Sequence, residues 1–402
     1  LTKGKSMSES KLTKFLLLPK LKLINFEHKH VSKTLTYYTE STSKSSWCPN
    51  CGLECFKIHD RRQVSILDAP QLDKTKIIKI IKKRYRCCGC KKVHTETIPG
   101  VQKSARISER MQKHILFTCN NFANLKAVQR HTKVGSKTLY KRHYKQLELE
   151  WRKRKNDPWP KTIGIDEHSF CRNKKYGHKE FATIIVDHSN KRVKELIPGR
   201  ISGQLQASLK YIPGRENVKN ITMDLSVTYK SFAQDFFPNA KIVADKFHVL
   251  RLLNTALNKY RKQITGHKKG MRIRKLLLMN SKNMDYFIKR EFEKWLLDYP
   301  ELREIYYAKE MLFKLYRCKG RKWAKKVFVK LTDTLAHSKL KELKSLRKTL
   351  ISWQKEILNY FESRITNART EGYNNVCKQL QKRAYGYKSF YNYRLRVLYV
   401  CQ

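Results

Sequence analysis

Between residues 162 and 245 the chain carries five short apolar runs, and the first and fourth each end in an acid that the rest of the sequence makes conspicuous. Thr162-Ile-Gly-Ile leads into Asp166, and Asn220-Ile-Thr-Met leads into Asp224. Phe181–Val186, Val193–Ile197 and Ala240–Asp245 are the second, third and fifth runs. Runs of four to seven apolar residues bounded by turn formers read as buried strands. The stretches at about 203–211 and 228–237 read as helices. The order is therefore three strands, helix, strand, helix, strand. Acids are scarce in this chain, 33 Asp+Glu against 88 Lys+Arg, so an aspartate closing an apolar strand is informative. The bland alternative is that Asp166 and Asp224 merely end their strands.

That order is the order of the ribonuclease H-like fold, in which the first and fourth strands lie side by side. Asp166 and Asp224, 58 positions apart, would then meet. Paired carboxylates suit phosphodiester chemistry, because two Mg²⁺ ions about 4 Å apart activate the attacking oxygen and stabilise the leaving one. Mg²⁺ takes hard oxygen ligands and keeps several waters, so two or three carboxylates suffice. A third acid is expected on a helix packed against the sheet, and Glu371 fits. Glu371, Asn375, Lys378 and Lys382 fall at i, i+4, i+7 and i+11, on one helical face. An ordinary surface Glu–Lys helix is the alternative. Asp245, in Asp245-x-x-His248, is a rival for the second acid, and His248 is read as a structural or DNA-positioning residue.

The formal net charge is +55. Such self-repulsion calls for a polyanionic partner, and neutralised phosphates release counterions when nucleic acid binds. The basic residues are spread along the chain rather than gathered in one amphipathic helix, which favours nucleic acid over a membrane surface. The longest early apolar run, Phe15–Leu18, is too short for a membrane span or a signal-peptide core. The expected setting is cytoplasmic, in a bacterium, at the nucleoid. The first residue is Leu, so Met7 is an alternative start.

The 11 cysteines then read as cytosolic thiols, better suited to metal than to disulfides. Cys48-Pro-Asn-Cys51-Gly and Cys87-Cys-Gly-Cys90 are two Cys-x-x-Cys knuckles, 36 positions apart from Cys51 to Cys87. Together they complete the four-thiolate shell of a structural zinc. Strand-like runs at Gln63–Leu67 and Lys76–Arg86 make the site a zinc ribbon with an extended hairpin. Cys55, Cys88 and His94 are substitutes for a named ligand, and unrelated thiols are the alternative to the whole site. After the ribbon, Asn121–His131 reads as one helix, Val134-Gly135 as a turn and Ser136 as the N-cap of a second helix. Leu139 faces inward while Lys137, Thr138, Lys141 and Arg142 face out, the layout of a helix-turn-helix recognition helix in a major groove. A helical hairpin with a solvated basic face is the alternative.

Gly164-Ile-Asp-Glu, Met223-Asp-Leu-Ser, Ala244-Asp-Lys-Phe-His-Val249, Arg369-Thr-Glu-Gly-Tyr-Asn-Asn375 and Arg383-Ala-Tyr-Gly-Tyr387 resemble, in order, the blocks of the ISL-three family of insertion-sequence transposases. The Cys-Pro-x-Cys-Gly ribbon before a helix-turn-helix resembles that family's N-terminal layout. The resemblance covers roughly residues 45–402. It implies a DDE transposase with Asp166, Asp224 and Glu371 as catalytic acids, Mg²⁺ or Mn²⁺ at the site, and element ends and target DNA as partners. It also implies a homodimer or higher synaptic complex. Many DDE transposases carry an arginine four residues before the glutamate. Here that position is Asn367, while the lysine seven residues after it is present as Lys378.

The expected organisation is a multidomain α/β chain. A basic arm spans 1–46, the zinc ribbon 47–98 and the helix-turn-helix 99–150. A ribonuclease H-like mixed-sheet core covers 151–248, its start at 151–161 a linker, and resumes with the Glu helix at 361–402 after an all-helical insertion at 249–360. Trp295, Trp323 and Trp353 in the insertion are read as core residues, with stacking on an unpaired base as the alternative. A non-catalytic DNA-binding protein, either a repressor or a decayed transposase, is the competing function.

Overall fold

The computed structural model describes residues 16–122, 124–172, 179–266 and 271–402. The chain divides into two compact units between Gln146 and Leu147.

In the first unit, β1 (Leu21–Lys29) and β2 (Thr34–Ser41) form an antiparallel pair. β3 (Ser46–Trp47) and β4 (Glu54–Cys55), two residues each, pair antiparallel across the loop 48–53. β5 (Ile58–Gln71) and β6 (Lys74–Arg86) make a long antiparallel hairpin, and β7 (Val93–Thr95) pairs with the end of β6. The turn between β5 and β6 is closed by Leu72 and Asp73, both at positive φ, the geometry that matches the twist of flanking strands. β2 runs parallel to β6, so the sheet order is β1-β2-β6-β5. The arm expected over 1–46 is corrected here: residues 21–41 are sheet. Alternating Leu35 and Tyr37 pack on Ile66, Ile78 and Ile80, a partner some forty positions away that no local pattern announces. Residues 1–15 of that arm lie outside the described residues.

Three helices follow, α1 (Glu109–Asn121), α2 (Leu125–Thr132) and α3 (Ser136–Arg154), the last of which runs through the boundary at Gln146. Ser108 caps α1 and donates to buried Asp68 of β5, which also pairs with Lys76 and Arg110. Met111, Ile115, Val128, Val134 and Leu139 form the small core of the three helices. Ser136 is not the N-cap of α3. Gly135 holds that position, its carbonyl accepting from Thr138 and Leu139, while Lys133 makes the left-handed turn after α2.

The second unit is built on a five-stranded mixed sheet. β8 (Thr162–Arg172), β9 (Lys179–Asp187) and β10 (Arg192–Pro198) run antiparallel in sequence. After α4 (Ser202–Leu209) come β11 (Asn220–Met223), α5 (Val227–Phe236) and β12 (Lys241–Ala244). β11 lies between β8 and β12 and is parallel to both, giving the order β10-β9-β8-β11-β12. The first and fourth strands of the unit are thus neighbours. Strand periodicity assigns the faces. Ile163, Ile165 and Ile185 pack on one side against α4 and α5, while Ile184 and Val186 pack on the other against Cys377, Leu380, Tyr393 and Val397. Of the segment 151–161, expected as a linker, residues 151–154 are the end of α3, and Trp159 is buried edge-on to Phe237.

From residue 246 the chain is helical: α6 (Lys246–Leu250), α7 (Asn254–Thr265), α8 (Met271–Leu278), α9 (Tyr286–Leu296), α10 (Pro300–Arg317), α11 (Arg321–Ala336), α12 (Lys341–Ser352) and α13 (Gln354–Ser363). They share one core that continues onto Val243 and Ala244 of β12. α14 (Ala368–Arg383) and α15 (Phe390–Val400) return to the sheet. No described helix is long and apolar enough to cross a membrane.

Candidate functional site

The ladder register aligns the acids. Gly164 pairs with Thr222 across β8 and β11, so Asp166 and Asp224 stand at the same offset beyond that pair. Met223 pairs with Ala244 across β11 and β12, which puts Asp245 level with Asp224. Three aspartates from three adjacent parallel strands therefore form one row, at the carboxyl ends of β11 and β12 and midway along β8, which does not end at Asp166 but continues to Arg172.

Gly164 lets a helix lie on this row. A Cβ there would meet Thr370 Oγ1 at 2.0 Å, His188 Nε2 at 2.5 Å and Asn367 Oδ1 at 2.7 Å. With no Cβ, α14 settles directly onto β8. Asn367, at its N-cap, donates through Nδ2 to Ile165 O (3.2 Å), accepts from Thr222 Oγ1 (2.9 Å), and gives its backbone N–H to Asp245 Oδ1 (3.2 Å). Two turns on, Asn374 donates to Asp166 Oδ2 (2.6 Å) and to Glu167 O (3.2 Å). Its Oδ1 is left to accept, so His168 carries a proton on Nδ1 (2.9 Å), and His168 Nε2 accepts from the Tyr393 hydroxyl (2.8 Å). Burial holds His168 at about 4, hence neutral. Glu167 turns to the opposite face, where the Tyr229 hydroxyl donates to it at 3.3 Å.

Glu371 sits four residues after Asn367 and three before Asn374, both of which touch the aspartate row. Its own side chain is exposed, as are Asn375, Lys378 and Lys382 on the same face. The structure thus brings Asp166, Asp224 and Asp245 into one row and sets Glu371 on the helix covering it. It does not close the acids into a finished shell: among the described residues, the cysteine cluster alone gathers three or more ligand atoms within 4.8 Å of one another.

The electrostatics of the row suit a divalent cation. Burial raises the Asp224 carboxyl to about 6, His248 opposes this, and the neighbouring Asp166 and Glu167 charges add to it. Asp224 Oδ1 is buried with no hydrogen-bond partner. Burial also raises Asp166, against the Glu167 N–H and the Asn374 amide. An orphaned, desolvated carboxylate oxygen beside a second raised carboxylate fits a divalent metal, which would supply the missing charge. Asp245 is differently placed. It is 3% exposed, and both oxygens are engaged, Oδ1 by Asn367 N and Oδ2 by His248 Nδ1 at 2.9 Å. That hydrogen bond is the main cause of the raised His248 pKa.

In the first unit, Cys48 Sγ lies 3.5 Å from Cys90 Sγ, and Cys51 Sγ lies 3.4 Å from Cys87 Sγ. Four thiolates about 2.3 Å from a central zinc would stand about 3.8 Å apart, so the cluster is nearly metal-sized. Backbone N–H groups of Cys90, chiefly, and Gly89 pull Cys87 down to about 6. The Leu53 N–H favours the Cys51 thiolate, but the hydrogen bond with Cys87, burial and the neighbouring Cys48 and Cys90 thiols together push Cys51 up to about 12. The arrangement is compatible with zinc. Cys55 is buried and pushed up to about 11, chiefly by that burial, Cys88 is exposed and His94 stacks on Tyr85; none of the three joins the cluster. On α3, Lys137, Thr138 and Lys141 are exposed, Arg142 is half-buried, and Leu139 is buried.

Sequence reasoning did not find Gly164, His168, Thr370, Asn374 or Tyr393 as parts of this site. Asn374 stood within a quoted block, but its two contacts need the helix and strand in place. Asn367 was noted only for not being arginine; its buried carboxamide fastens α14 to two strands.

Residues 163–397 match a family model described as a transposase, of the DDE and ISL-three type. The transposase for insertion sequence element IS1001 of Bordetella parapertussis is 24% identical over 370 residues, covering 89% of both chains.

Proposed function

Since the chain belongs to the ISL-three family of DDE transposases, we propose that it binds the ends of its own insertion sequence and catalyses DNA cleavage and strand transfer there. Asp166, Asp224 and Glu371 are the catalytic acids. The observation that carries the reading is the levelled pair Asp166 and Asp224, with a buried Asp224 oxygen that nothing satisfies. We read the mixed sheet with α14 and α15 as a ribonuclease H-like core over 151–248 and 361–402, interrupted by the helices at 249–360. The cysteine cluster is read as a structural zinc ribbon over 47–98. The helices within 99–150 are read as a helix-turn-helix that sets Lys137, Thr138, Lys141 and Arg142 against duplex DNA.

Bound Mg²⁺ or Mn²⁺ would supply activation of the attacking oxygen and neutralisation of the leaving one. Asp166 and Asp224 would hold the ions, and Glu371 would add a carboxylate from the helix. Asn374 ties up one Asp166 oxygen. Lys378, two turns beyond Glu371, faces the adjacent phosphate. Asp245 and His248 support the row: Asp245 anchors the start of α14, and His248 holds the other Asp245 oxygen, a hydrogen bond that favours its protonated form. Hydrolysis at the element end frees a 3′-hydroxyl, which then attacks target DNA; the same residues serve both steps and no covalent protein intermediate forms. Two element ends are handled together, so a homodimer or larger assembly is the working form.

A non-catalytic DNA-binding protein is the second reading, favoured by the exposed Glu371 and the unclosed shell. The test supplies labelled duplex carrying the element's ends together with Mn²⁺ or Mg²⁺. Nicked and joined products support the proposal, and binding without nicking supports the second reading. Asp224→Asn is expected to abolish both products. Asp245→Asn, which keeps the shape, is expected to retain cutting.

A further inference from the structure

Of the three tryptophans in the helical excursion, two are accounted for by packing. Trp353 is 4% exposed, and Trp295 stacks on Phe292 with ring centres 5.9 Å apart. Trp323 departs from the core expectation: it is 62% exposed. Exposing a side chain that normally buries a large apolar area needs a reason.

The surroundings supply one. α11 turns Ala324, Phe328, Leu331 and Leu335 into the core at i, i+4, i+7 and i+11. The outward face carries Trp323, Lys326 and Lys330 at i, i+3 and i+7, beside Lys322, Lys325 and Val329 at the same spacing, all exposed. Asp333 is the helix's one acid. Arg321 is engaged by Glu362 of α13, but among the described residues none of Lys322, Lys325, Lys326 or Lys330 forms an ion pair with a carboxylate. Lys326 Nζ lies over the Trp323 indole, 4.8 Å from its centre, which holds the ring beside four uncompensated cations. Cations that track phosphates, interleaved with an exposed ring, are what single strands bind: every base has a π-face, and stacking is indifferent to sequence.

We propose that this face of α11 is a second nucleic-acid surface, on which Trp323 stacks an unpaired base while Lys322, Lys325, Lys326 and Lys330 hold the flanking phosphates. The proposal rests on the reading that DNA is the partner, but not on catalysis. It assigns single-stranded DNA to α11 and leaves duplex recognition to other parts of the chain.

The full chain is titrated against a fluorescein-labelled thymidine strand of about 20 nucleotides, and against a blunt duplex of the same length, by fluorescence anisotropy. Trp323→Ala is expected to weaken single-strand binding about 5- to 150-fold and to leave duplex binding within about two-fold. Trp323→Phe is expected to retain most of the single-strand affinity. Because the ring is exposed, an unchanged melting temperature in both variants establishes that folding is intact. Unchanged single-strand affinity in Trp323→Ala overturns the proposal, and points to a protein partner for the ring. A wild-type chain that binds duplex but not the single strand also overturns it, while sparing the DNA reading. A chain that binds neither sinks that reading itself.

Discussion

Asp224 carries a conflict between folding and function that its surroundings make measurable. Its carboxyl sits at about 6 against an ordinary 3.8, because burial disfavours the charged form. The fold therefore favours protonated Asp224. That contribution is whole below about pH 4 and is lost as pH rises through about 6, a change of about 3 kcal/mol for this one group. A divalent cation should reverse the trend. Added Mg²⁺ is expected to raise the melting temperature at pH 7.5 and to do little at pH 5, and Asp224→Asn should flatten both responses. Asn374 is a positioning residue of the opposite kind, fully satisfied where Asp224 is not. Asn374→Ala strips Asp166 of its amide donor and leaves neutral His168 without its Nδ1 partner, at a cost of about 1–3 kcal/mol. Thermal melts should show that loss. Asn374→Asp should restore the His168 contact, yet cleavage should stay at least about tenfold down, because a second carboxylate then faces Asp166. The acids at 166 and 224 were legible in sequence because each ends an apolar run. Asn374 was not, since an asparagine on a polar helix has no signature until its partners are known.

At the scale of elements, β8 and α14 act as one piece. Gly164→Ala would place a methyl group 2.0 Å from Thr370 Oγ1, so the helix must lift. The expected result is a protein that still binds duplex DNA but cuts at least about tenfold more slowly, with a stability loss of about 1–3 kcal/mol. Unimpaired cutting in Gly164→Ala would mean that α14 does not need this seat. The ribbon makes a separate prediction. One zinc per chain is expected on release by a mercurial reagent with colorimetric detection, and Cys87→Ser should lose it. Four of the strands and both crossover helices of the mixed sheet were readable to within a few residues, since period and turn residues agree there; β8 was read as ending at Asp166 but runs on to Arg172, because its pairing with β9 continues past the acid. β1 and β2 were missed although Leu21 and Leu23, and Leu35 and Tyr37, alternate with polar residues; the partner that makes them sheet, β6, lies some forty positions on and pairs parallel with β2. The cap of α3 was misplaced by one residue because serine is the commoner cap, yet the Gly135 carbonyl takes that position in the structure.

Over the whole molecule, charge sets behaviour more than shape does. A formal +55 spread over both units predicts binding to any duplex with a steep salt dependence. Affinity for a non-specific duplex should fall about 10³-fold or more between 50 and 200 mM salt, and a flat response would argue against phosphate contacts as the source of binding. The helical excursion after the sheet was legible as helix, but its purpose was not, because exposure of Trp323 and burial of Trp353 depend on how eight helices share one core. Its attachment has a consequence of its own. The chain leaves the sheet at Asp245 and comes back at Asn367, and these two residues, 122 positions apart, are joined by one hydrogen bond of 3.2 Å. Departure and return coincide, and α13 also lies along β12, where Asn359 donates to Ile242 O and Lys241 pairs with Glu362, so the excursion is seated on the sheet's edge strand and not merely tied at its ends. Changes that loosen that seat are expected to reach Asp245 and the start of α14 together with the excursion.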